Sequence, residues 1–206
     1  MTDASIELWP AAGTSVALLR VDGLSPGTAL SAPEAARYAA FRIEKRRKEW
    51  LAGRLAAKAL LAAGGGNPAD FEIGMDKLGR PSCGGALVSI THSNGWAAAA
   101  AKPGSSFLGL DLEKIEERHR AWYADYFHPQ ELPLHDPSEA TRLWTIKEAL
   151  LKALGLGLMA DPLAICTGEK IRFTGKALER YRELGSPDFT VETRPSPEGF
   201  WMAVAA

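Results

Sequence analysis

Two Ala- and Leu-rich helical stretches place the strongest constraint on the fold of this chain. The first, WLAGRLAAKAL, begins at Trp50, and the second, WTIKEALLKAL, begins at Trp144. When they are aligned on the tryptophan, Lys58 falls on Lys152. Each stretch is accompanied by at least three short apolar segments that are typical of strands. Because these strands and helices do not alternate strictly, the pattern favours an α+β fold over a doubly wound sheet.

The faint repeat predicts two similar α+β halves, residues 1–103 and 104–206. Each half is expected to hold a small, mainly antiparallel sheet packed against a long helix. A pseudo-two-fold axis would then relate the halves, and a functional site would lie between them. The alternative is chance similarity, because Ala and Leu are strong helix formers and recur in unrelated helices.

Apolar runs bounded by Gly and Pro predict the individual elements. The predicted strands are residues 6–9, 16–21, 71–73, 87–91, 96–101, 107–113, 171–173, 189–193 and 200–204. The predicted helices are residues 33–63 with room for a break, 120–127, a short piece after Pro129, and 138–154. Ser138 is the predicted N-cap of the last helix.

The composition, 46% hydrophobic and 24% charged, is typical of a globular protein. No apolar run approaches the roughly 18 residues that a membrane span needs, and the first ten residues lack the features of a signal peptide. Cys83 and Cys166 are far apart and fit neither a disulfide framework nor a zinc site. We therefore expect a cytoplasmic protein with no membrane partner.

The charge is unevenly distributed along the chain. Residues 1–103 carry 12 basic and 9 acidic residues, whereas residues 104–206 carry 12 and 16. The stretch from Arg37 to Lys58 contains eight basic residues against Glu44 and Glu49. This stretch predicts either an anion-binding surface or a solvated helix face. Nucleic-acid binding is disfavoured because the whole chain is slightly acidic. In addition, Trp50 is the one aromatic residue between Arg42 and Lys58.

The second helical stretch has an unusual polar face. Glu148 and Lys152 are spaced i,i+4, which on an ordinary exposed helix gives a salt bridge of about 0.2–0.5 kcal/mol. Trp144 shares their face, and a tryptophan beside two charges indicates that a ligand or another part of the chain covers them. The repeat points to the interface between the halves as the place where Trp144 packs.

The segment GLDLE places two carboxylates on one face of a predicted strand. Asp111 and Glu113 alternate with leucines, so their side chains lie about 7 Å apart on the same side. Hard oxygen ligands of this kind suit Mg²⁺, which also binds substrate phosphates. A solvent-facing strand edge is the alternative reading of the same spacing.

Two further segments offer groups that bind anions. THSNGW, from Thr91 to Trp96, supplies an imidazole, hydroxyls and backbone N–H groups at a turn. KLGRP, from Lys77 to Pro81, places Arg80 at a rigid position. Each segment alone is a weak indication of a site.

Taken in chain order, these motifs resemble those of the 4′-phosphopantetheinyl transferases of the long, Sfp-like, pseudo-dimeric type. The order is a basic helix ending in AGR, then GRP, SITHS, GLDLE, FHPQE and WTIKEALLKALGLGL. The resemblance extends from Arg37 to Leu158. The patterns G-[IVL]-D-[ILV]-E and W-x-x-K-E-[AS]-x-x-K together are highly specific.

The resemblance implies transfer of the 4′-phosphopantetheine arm of coenzyme A to a serine of an apo acyl, peptidyl or aryl carrier protein. The products are the holo carrier protein and 3′,5′-ADP. It further implies that Asp111, Glu113 and Glu148 hold Mg²⁺, or Mn²⁺ in its place. A monomeric enzyme of fatty-acid, polyketide or nonribosomal-peptide biosynthesis is expected.

The resemblance also assigns expected roles to individual side chains. Lys152 would reach a phosphate and protonate the leaving group, and Lys147 would contact the carrier or a phosphate less directly. The base that deprotonates the serine would be Glu148 or a metal-bound water that it orients, with Glu131 as second choice. The residues expected to contact coenzyme A are Arg37, Arg54, Arg80, Ser89, Thr91, His92, Lys147 and Lys152.

The sequence departs from the family pattern at two positions. Leu156 stands in the Gly155-Leu156-Gly157 segment where the family often has lysine, and Thr91 stands where serine is common. Neither position is an expected metal ligand. Two other functions use the same residues: a Mg²⁺-dependent phosphodiester hydrolase, and a non-catalytic module that binds coenzyme A or a carrier.

Overall fold

The computed structural model describes residues 6–132, 136–157, 160–168 and 170–206. Leu158, where the family resemblance ends, lies outside the described residues. The chain has the predicted α+β fold and divides into two compact units, Met1–Ser105 and Ser106–Ala206. The pseudo-two-fold relation between the halves stays a prediction.

The first unit is built on a six-stranded antiparallel sheet. Its strands are β1 (Glu7–Ala11), β2 (Thr14–Arg20), β3 (Gly74–Met75), β4 (Pro81–Cys83), β5 (Ala86–Ser93) and β6 (Trp96–Pro103), and their spatial order is β1-β2-β6-β5-β4-β3. Asn94 and Gly95 join β5 to β6 with φ angles of 43° and 83°. Positive φ at both positions suits a tight hairpin turn.

Two helices accompany this sheet: α1 (Ala32–Ala40) and α2 (Glu44–Leu61). Small side chains let α2 lie close to the sheet, since Ala52 and Ala56 are fully buried in the same core as Ala97 and Ala99. The predicted break in the long helical region is confirmed, because the chain is extended at Phe41 and Ile43. A short 3₁₀ turn, Pro68–Asp70, follows the helix.

The second unit holds a three-stranded antiparallel sheet and a two-stranded one. Its elements are β7 (Gly109–Lys114), α3 (Arg120–Tyr126), α4 (Pro137–Ala153), a 3₁₀ turn (Pro162–Ala164), β8 (Ile165–Thr167), β9 (Ile171–Phe173), α5 (Gly175–Glu183), β10 (Val191–Arg194) and β11 (Phe200–Ala205). The larger sheet has the order β10-β11-β7, and β8 pairs with β9. The long helix α4 packs on β7 and β11.

Gly109, the first residue of β7, sets the distance between α4 and the sheet. A Cβ atom at this position would overlap the backbone carbonyl of Ala149 and crowd the backbone of Ala153. Ala149 and Ala153 are themselves fully buried. The glycine is therefore required by close contact between two backbones, which no side-chain rotation relieves.

Some predicted elements were wrong. The N-cap of α4 is Asp136, whose carboxylate accepts hydrogen bonds from the N–H groups of Ser138 and Glu139. Ser138 instead accepts a hydrogen bond from the indole of Trp201 at 2.9 Å. Residues 129–131, where a short helix was predicted after Pro129, form a turn, and residues 133–135 lie outside the described residues. The third predicted strand, residues 71–73, is replaced by β3, which begins after Ile73. The sequence patterns also missed β4, β8 and α5.

We expect Gly109→Ala to destabilise the protein by at least about 3 kcal/mol, because overpacking against rigid backbone is more costly than against side chains. Gly168→Ala is the matched control, since a Cβ there meets no atom within 4 Å. Urea denaturation, monitored by circular dichroism, measures the free energy of unfolding of both variants. Equal stability of the two variants would contradict the close-contact explanation.

Candidate active site

Helix α4 presents Lys152 to the carboxylate of Asp111 on β7. The Lys152 ammonium donates hydrogen bonds to Oδ1 of Asp111 at 2.7 Å and to the Leu110 carbonyl at 3.0 Å. Asp111 is only 3% exposed. The close approach at Gly109 brings the last turns of α4 within reach of this strand, and so brings the two charges into contact.

Glu148 lies one helical turn before Lys152 and is also buried. No described residue donates a hydrogen bond to its Oε1 atom. Burial, and then the nearby charge of Asp111, raise the pKa of Glu148 to about 7, although Lys152 acts in the opposite direction. A buried carboxylate with an unsatisfied oxygen is costly, and such groups are common at functional sites.

Asp111 and Glu148 fit a divalent cation in donor type and in charge. Both offer hard carboxylate oxygens, and one ammonium faces the two carboxylates. The unsatisfied oxygen of Glu148 is a specific observation in favour of a bound cation. In the described part of the chain, however, no three His, Cys, Asp or Glu side chains are already placed to share a metal ion.

Glu113 is the third predicted metal ligand. It lies two residues after Asp111 on β7, so both side chains leave the same face of the strand. Glu113 is half-buried, whereas Asp111 is buried. The structure therefore brings Asp111, Glu148 and Lys152 together, and the participation of Glu113 stays a prediction.

A second cluster of predicted residues lies in the first unit, around a pocket of about 420 Å³. Its lining includes the basic side chains of Arg37, Arg46, Arg54 and His92 and the rings of Phe41 and Trp50; the other lining residues are Glu49, Met75, Pro81 and Ile90. An aromatic surface surrounded by cations suits a ligand that has both a flat ring and phosphates.

Arg54 has the most unusual environment of these cations. It is 4% exposed, and its Nε and Nη1 atoms form no hydrogen bond with any described residue. Its guanidinium carbon lies 5.1 Å from the centre of the Trp50 ring, and that of Arg37 lies 6.0 Å from the same centre. Burial lowers the pKa of Arg54, as expected for a cation removed from water.

The other predicted coenzyme A contacts have different surroundings. Arg80 is paired with Asp76, with 2.7 Å between Nε and Oδ2. His92 is about half exposed, and its Nδ1 lies 3.8 Å from a carboxylate oxygen of Glu49. Ser89 and Thr91 are buried and alternate along β5 with Ile90 and His92, so they leave the opposite face of the strand from the pocket.

Comparison with known proteins matches both units to one family. Residues 107–205 match the model of the 4′-phosphopantetheinyl transferase superfamily. Residues 34–102 match the model of the 4′-phosphopantetheinyl transferase N-terminal domain. The chain belongs to the 4′-phosphopantetheinyl transferase superfamily. The presence of the N-terminal domain agrees with the long, Sfp-like type.

A curated relative carries the same family name. It is a phosphopantetheinyl transferase from Thraustochytrium sp., 28% identical to this chain over 189 residues. The match covers 75% of this chain and 62% of the relative. The chain therefore spans about three-fifths of the length of that protein.

The tryptophan of the WTIKE segment packs within its own unit. Trp144 lies 4.8 Å from the Tyr126 ring and 5.7 Å from the Trp122 ring, measured between centroids. Both partners belong to α3. Of the two predicted covers for Trp144, a ligand or another part of the chain, the structure shows the second. The packing partner was expected at the interface between the halves, but the aromatic partners in the described residues belong to α3.

Lys147 and Glu131, two predicted site residues of this superfamily member, form a buried ion pair at 2.9 Å. Lys147 also donates to the Tyr126 and Pro162 carbonyls. Burial acts to raise the pKa of Glu131, but hydrogen bonds from the Thr167 and His128 N–H groups and from Lys147 hold it below its usual value. The geometry favours a structural role for this pair, and it favours Glu148 over Glu131 as the base.

Arg46 lines the basic pocket but was not among the predicted contacts. The only sequence signal was its place in the basic stretch, which does not separate it from its neighbours. Lys45 and Lys48 instead form ion pairs along the helix with Glu49 and Glu44. Which basic residues of the stretch line the pocket and which lie on the exposed face is decided by how α2 is rotated about its axis against the sheet.

None of the helices in the described residues combines the length and the apolar character that crossing a bilayer requires.

Loss of the carboxylate charge should have opposite effects on protein stability at the two buried glutamates, Glu148 on α4 and Glu131 next to it. Because the folded-state pKa of Glu148 is raised to about 7, its carboxyl group begins to cost stability as the pH rises above its ordinary pKa of 4.5, and the full cost is reached above about pH 7. Glu148→Gln should therefore stabilise the protein by roughly 1–3 kcal/mol at pH 8 and hardly at all near pH 4.5.

Glu131→Gln is the matched control for this experiment. Its pKa is lowered in the fold, so its charge stabilises the protein above its ordinary pKa, and the substitution should destabilise at pH 8. Urea denaturation in buffer with a chelator measures both variants. A loss of stability in Glu148→Gln equal to that in Glu131→Gln would contradict the assignment.

Proposed function

We propose that this protein transfers the 4′-phosphopantetheine arm of coenzyme A to a serine of an apo acyl, peptidyl or aryl carrier protein, which gives the holo carrier and 3′,5′-ADP. The observation that carries the proposal is the group of Asp111, Glu148 and Lys152, in which a half-buried ammonium faces two buried carboxylates and no described residue satisfies one oxygen of Glu148. Family membership and the name of the relative support it.

The chemistry assigns a task to each of these side chains. The serine hydroxyl attacks the phosphorus on the pantetheine side of the pyrophosphate, so a serine O–P bond forms and the bond to the leaving 3′,5′-ADP breaks. Glu148, directly or through a water that it orients, is the proposed base that takes the serine proton. Lys152, whose ammonium donates to Oδ1 of Asp111 at 2.7 Å, is the proposed contact to the pyrophosphate and the proposed source of charge or a proton for the leaving phosphate.

Asp111 and Glu148 would hold Mg²⁺, or Mn²⁺, with Glu113 as the proposed third ligand. When bound, the cation would neutralise the charge of the pyrophosphate and of the two buried carboxylates. The carboxylates are held in place without it, since Asp111 is fixed by Lys152 and Glu148 by its position on α4. Removal of divalent cations should therefore stop transfer while the fold is kept.

The basic pocket in the first unit is the proposed site for the nucleotide part of coenzyme A. Trp50 and Phe41 offer surfaces for the adenine ring, and the cations around them suit the 3′-phosphate. Arg80 stays a proposed contact near this site. Ser89 and Thr91 leave the opposite face of β5, and they stay proposed contacts to another part of coenzyme A. A monomeric, cytoplasmic enzyme that serves fatty-acid, polyketide or nonribosomal-peptide synthesis completes the proposal.

The direct test mixes the purified protein with coenzyme A, Mg²⁺ and a panel of apo carrier proteins and measures carrier mass. Asp111→Ala and Glu148→Gln should each lower transfer by a factor of about 100 or more, because each removes a charge at the reacting phosphate. Glu139→Gln, a half-exposed glutamate on the same helix, is the matched control.

Two results would contradict the proposed function. One is the absence of a phosphopantetheine adduct on every carrier in the panel. The other is cleavage of coenzyme A at the same rate with and without a carrier, which would indicate a hydrolase. Full activity of either variant would remove that residue from the site.

The nucleotide pocket has a separate test. Arg37→Gln should raise KM for coenzyme A about tenfold, because a charge-assisted contact to phosphate is lost. KM for 3′-dephospho-coenzyme A should change little, since that molecule lacks the phosphate. Arg42→Gln, an exposed arginine in the same basic stretch that does not line the pocket, is the control. Equal losses with both substrates would place Arg37 elsewhere.

A further inference from the structure

Behind the basic pocket lies a buried charge network of which the proposed function uses Arg54 alone. It consists of Glu34 on α1 and of Arg54 and Lys58 on α2, and all three side chains are at most 5% exposed. Arg54 and Lys58 are spaced i,i+4, so the two cations lie one turn apart on one face of the helix and repel each other. Glu34 is the carboxylate that contacts both of them.

The hydrogen bonds of Lys58 are fully used. Its ammonium lies 2.7 Å from Oε2 of Glu34 and donates to the Pro68 carbonyl at 2.9 Å and to the Phe71 carbonyl at 2.8 Å. An ammonium group has three donors, and these three acceptors account for them. Lys58 therefore has no capacity left for a ligand.

The carboxylate of Glu34 is also occupied. Oε2 accepts from the Ser31 N–H, as the second half of a capping box, and Oε1 accepts from the Ile73 N–H at 3.2 Å. Burial acts to raise the pKa of Glu34, but Lys58 and these N–H groups hold it below the usual value. Glu34 is thus ionised, and its strongest partner is Lys58.

Arg54 is consequently left short of a counter-charge. Its Nε atom lies 3.9 Å from Oε1 of Glu34, too far for a hydrogen bond, and neither Nε nor Nη1 bonds any described residue. One carboxylate faces two buried cations, so a positive charge remains next to the pocket that Arg54 lines. An unpaired buried charge is strongly destabilising unless an anion offsets it.

We propose that Lys58 is a positioning residue for phosphate binding: by neutralising Glu34, it keeps that carboxylate from pairing with Arg54 and leaves the charge of Arg54 to the ligand. This proposal rests on the proposed function, in which the ligand is coenzyme A and the phosphate is its 3′-phosphate. Lys58 acts without touching the ligand.

The first variant that tests this role is Lys58→Met. Without the ammonium, Glu34 turns to Arg54, and the pocket loses its uncompensated charge. The preference for coenzyme A over 3′-dephospho-coenzyme A, measured as the ratio of kcat/KM values and as the ratio of Kd values by calorimetry, should fall about tenfold, the loss expected for one charge-assisted contact. A purely structural role would weaken both molecules equally and leave the ratio unchanged.

The second variant, Glu34→Gln with Lys58→Met, removes the carboxylate as well. With no carboxylate to capture Arg54, the preference for coenzyme A should return to within about twofold of the wild-type ratio, a coupling that a double-mutant cycle detects. Glutamine also keeps the capping box of α1. A structural role predicts that the double variant is at least as impaired as Lys58→Met, and that result would overturn the proposal.

Glu34→Gln alone covers the case in which Lys58→Met does not fold. This variant leaves both cations in place, so its preference for coenzyme A should equal or exceed that of the wild type. A fall in the preference would overturn the proposal. If the wild-type protein binds neither coenzyme A nor 3′-dephospho-coenzyme A, the proposed function and this inference are both overturned. If Lys58→Met keeps the wild-type preference for coenzyme A, this inference alone is overturned.

Discussion

The contact between Gly109 and the backbone of α4 is the constraint on which the candidate catalytic group depends. Since no Cβ fits between β7 and Ala149, the helix lies directly on the strand. Side chains one turn apart on α4 then reach the next inward-facing residue of β7, which is Asp111. The same approach excludes water from Glu148 and produces its raised pKa. The close packing at Gly109 thus contributes to the raised pKa of Glu148.

Six of the buried charged side chains in the described residues fall into two kinds. Glu131 with Lys147 and Glu34 with Lys58 are pairs whose hydrogen bonds are used by one another and by nearby backbone groups. Glu148 and Arg54 instead have buried polar atoms that no described residue satisfies. The first kind contributes to stability or to local order. The second kind lowers stability, and a bound ligand of opposite charge would offset that cost.

The two unsatisfied groups also have opposite signs. Near Glu148 the excess charge is negative, which suits a divalent cation, and near Arg54 it is positive, which suits a phosphate. Coenzyme A with a bound cation offers both kinds of charge within one substrate.

Sequence patterns predicted the α+β class, the two long helices and most strands, because hydrophobic periodicity and Gly or Pro boundaries are local signals. The elements that were missed, such as β4, β8 and α5, are short or polar and are held by tertiary contacts. The N-cap of α4 was misplaced by two residues, since Asp136 and Ser138 are both good capping residues and the choice depends on the indole of Trp201, which bonds to Ser138.

The sequence by itself determined the residue types of the candidate site and the family to which they point, because the spacing of Asp111, Glu113, Glu148 and Lys152 is written in the chain. Only the tertiary structure decided which charges are balanced. From the sequence, Lys147 and Lys152 are two lysines of one motif that are both expected to contact coenzyme A, and Arg54 and Lys58 are two cations of one basic stretch. Burial and the position of backbone carbonyls separate them, since the free energy of a charge depends on what surrounds it in space rather than along the chain.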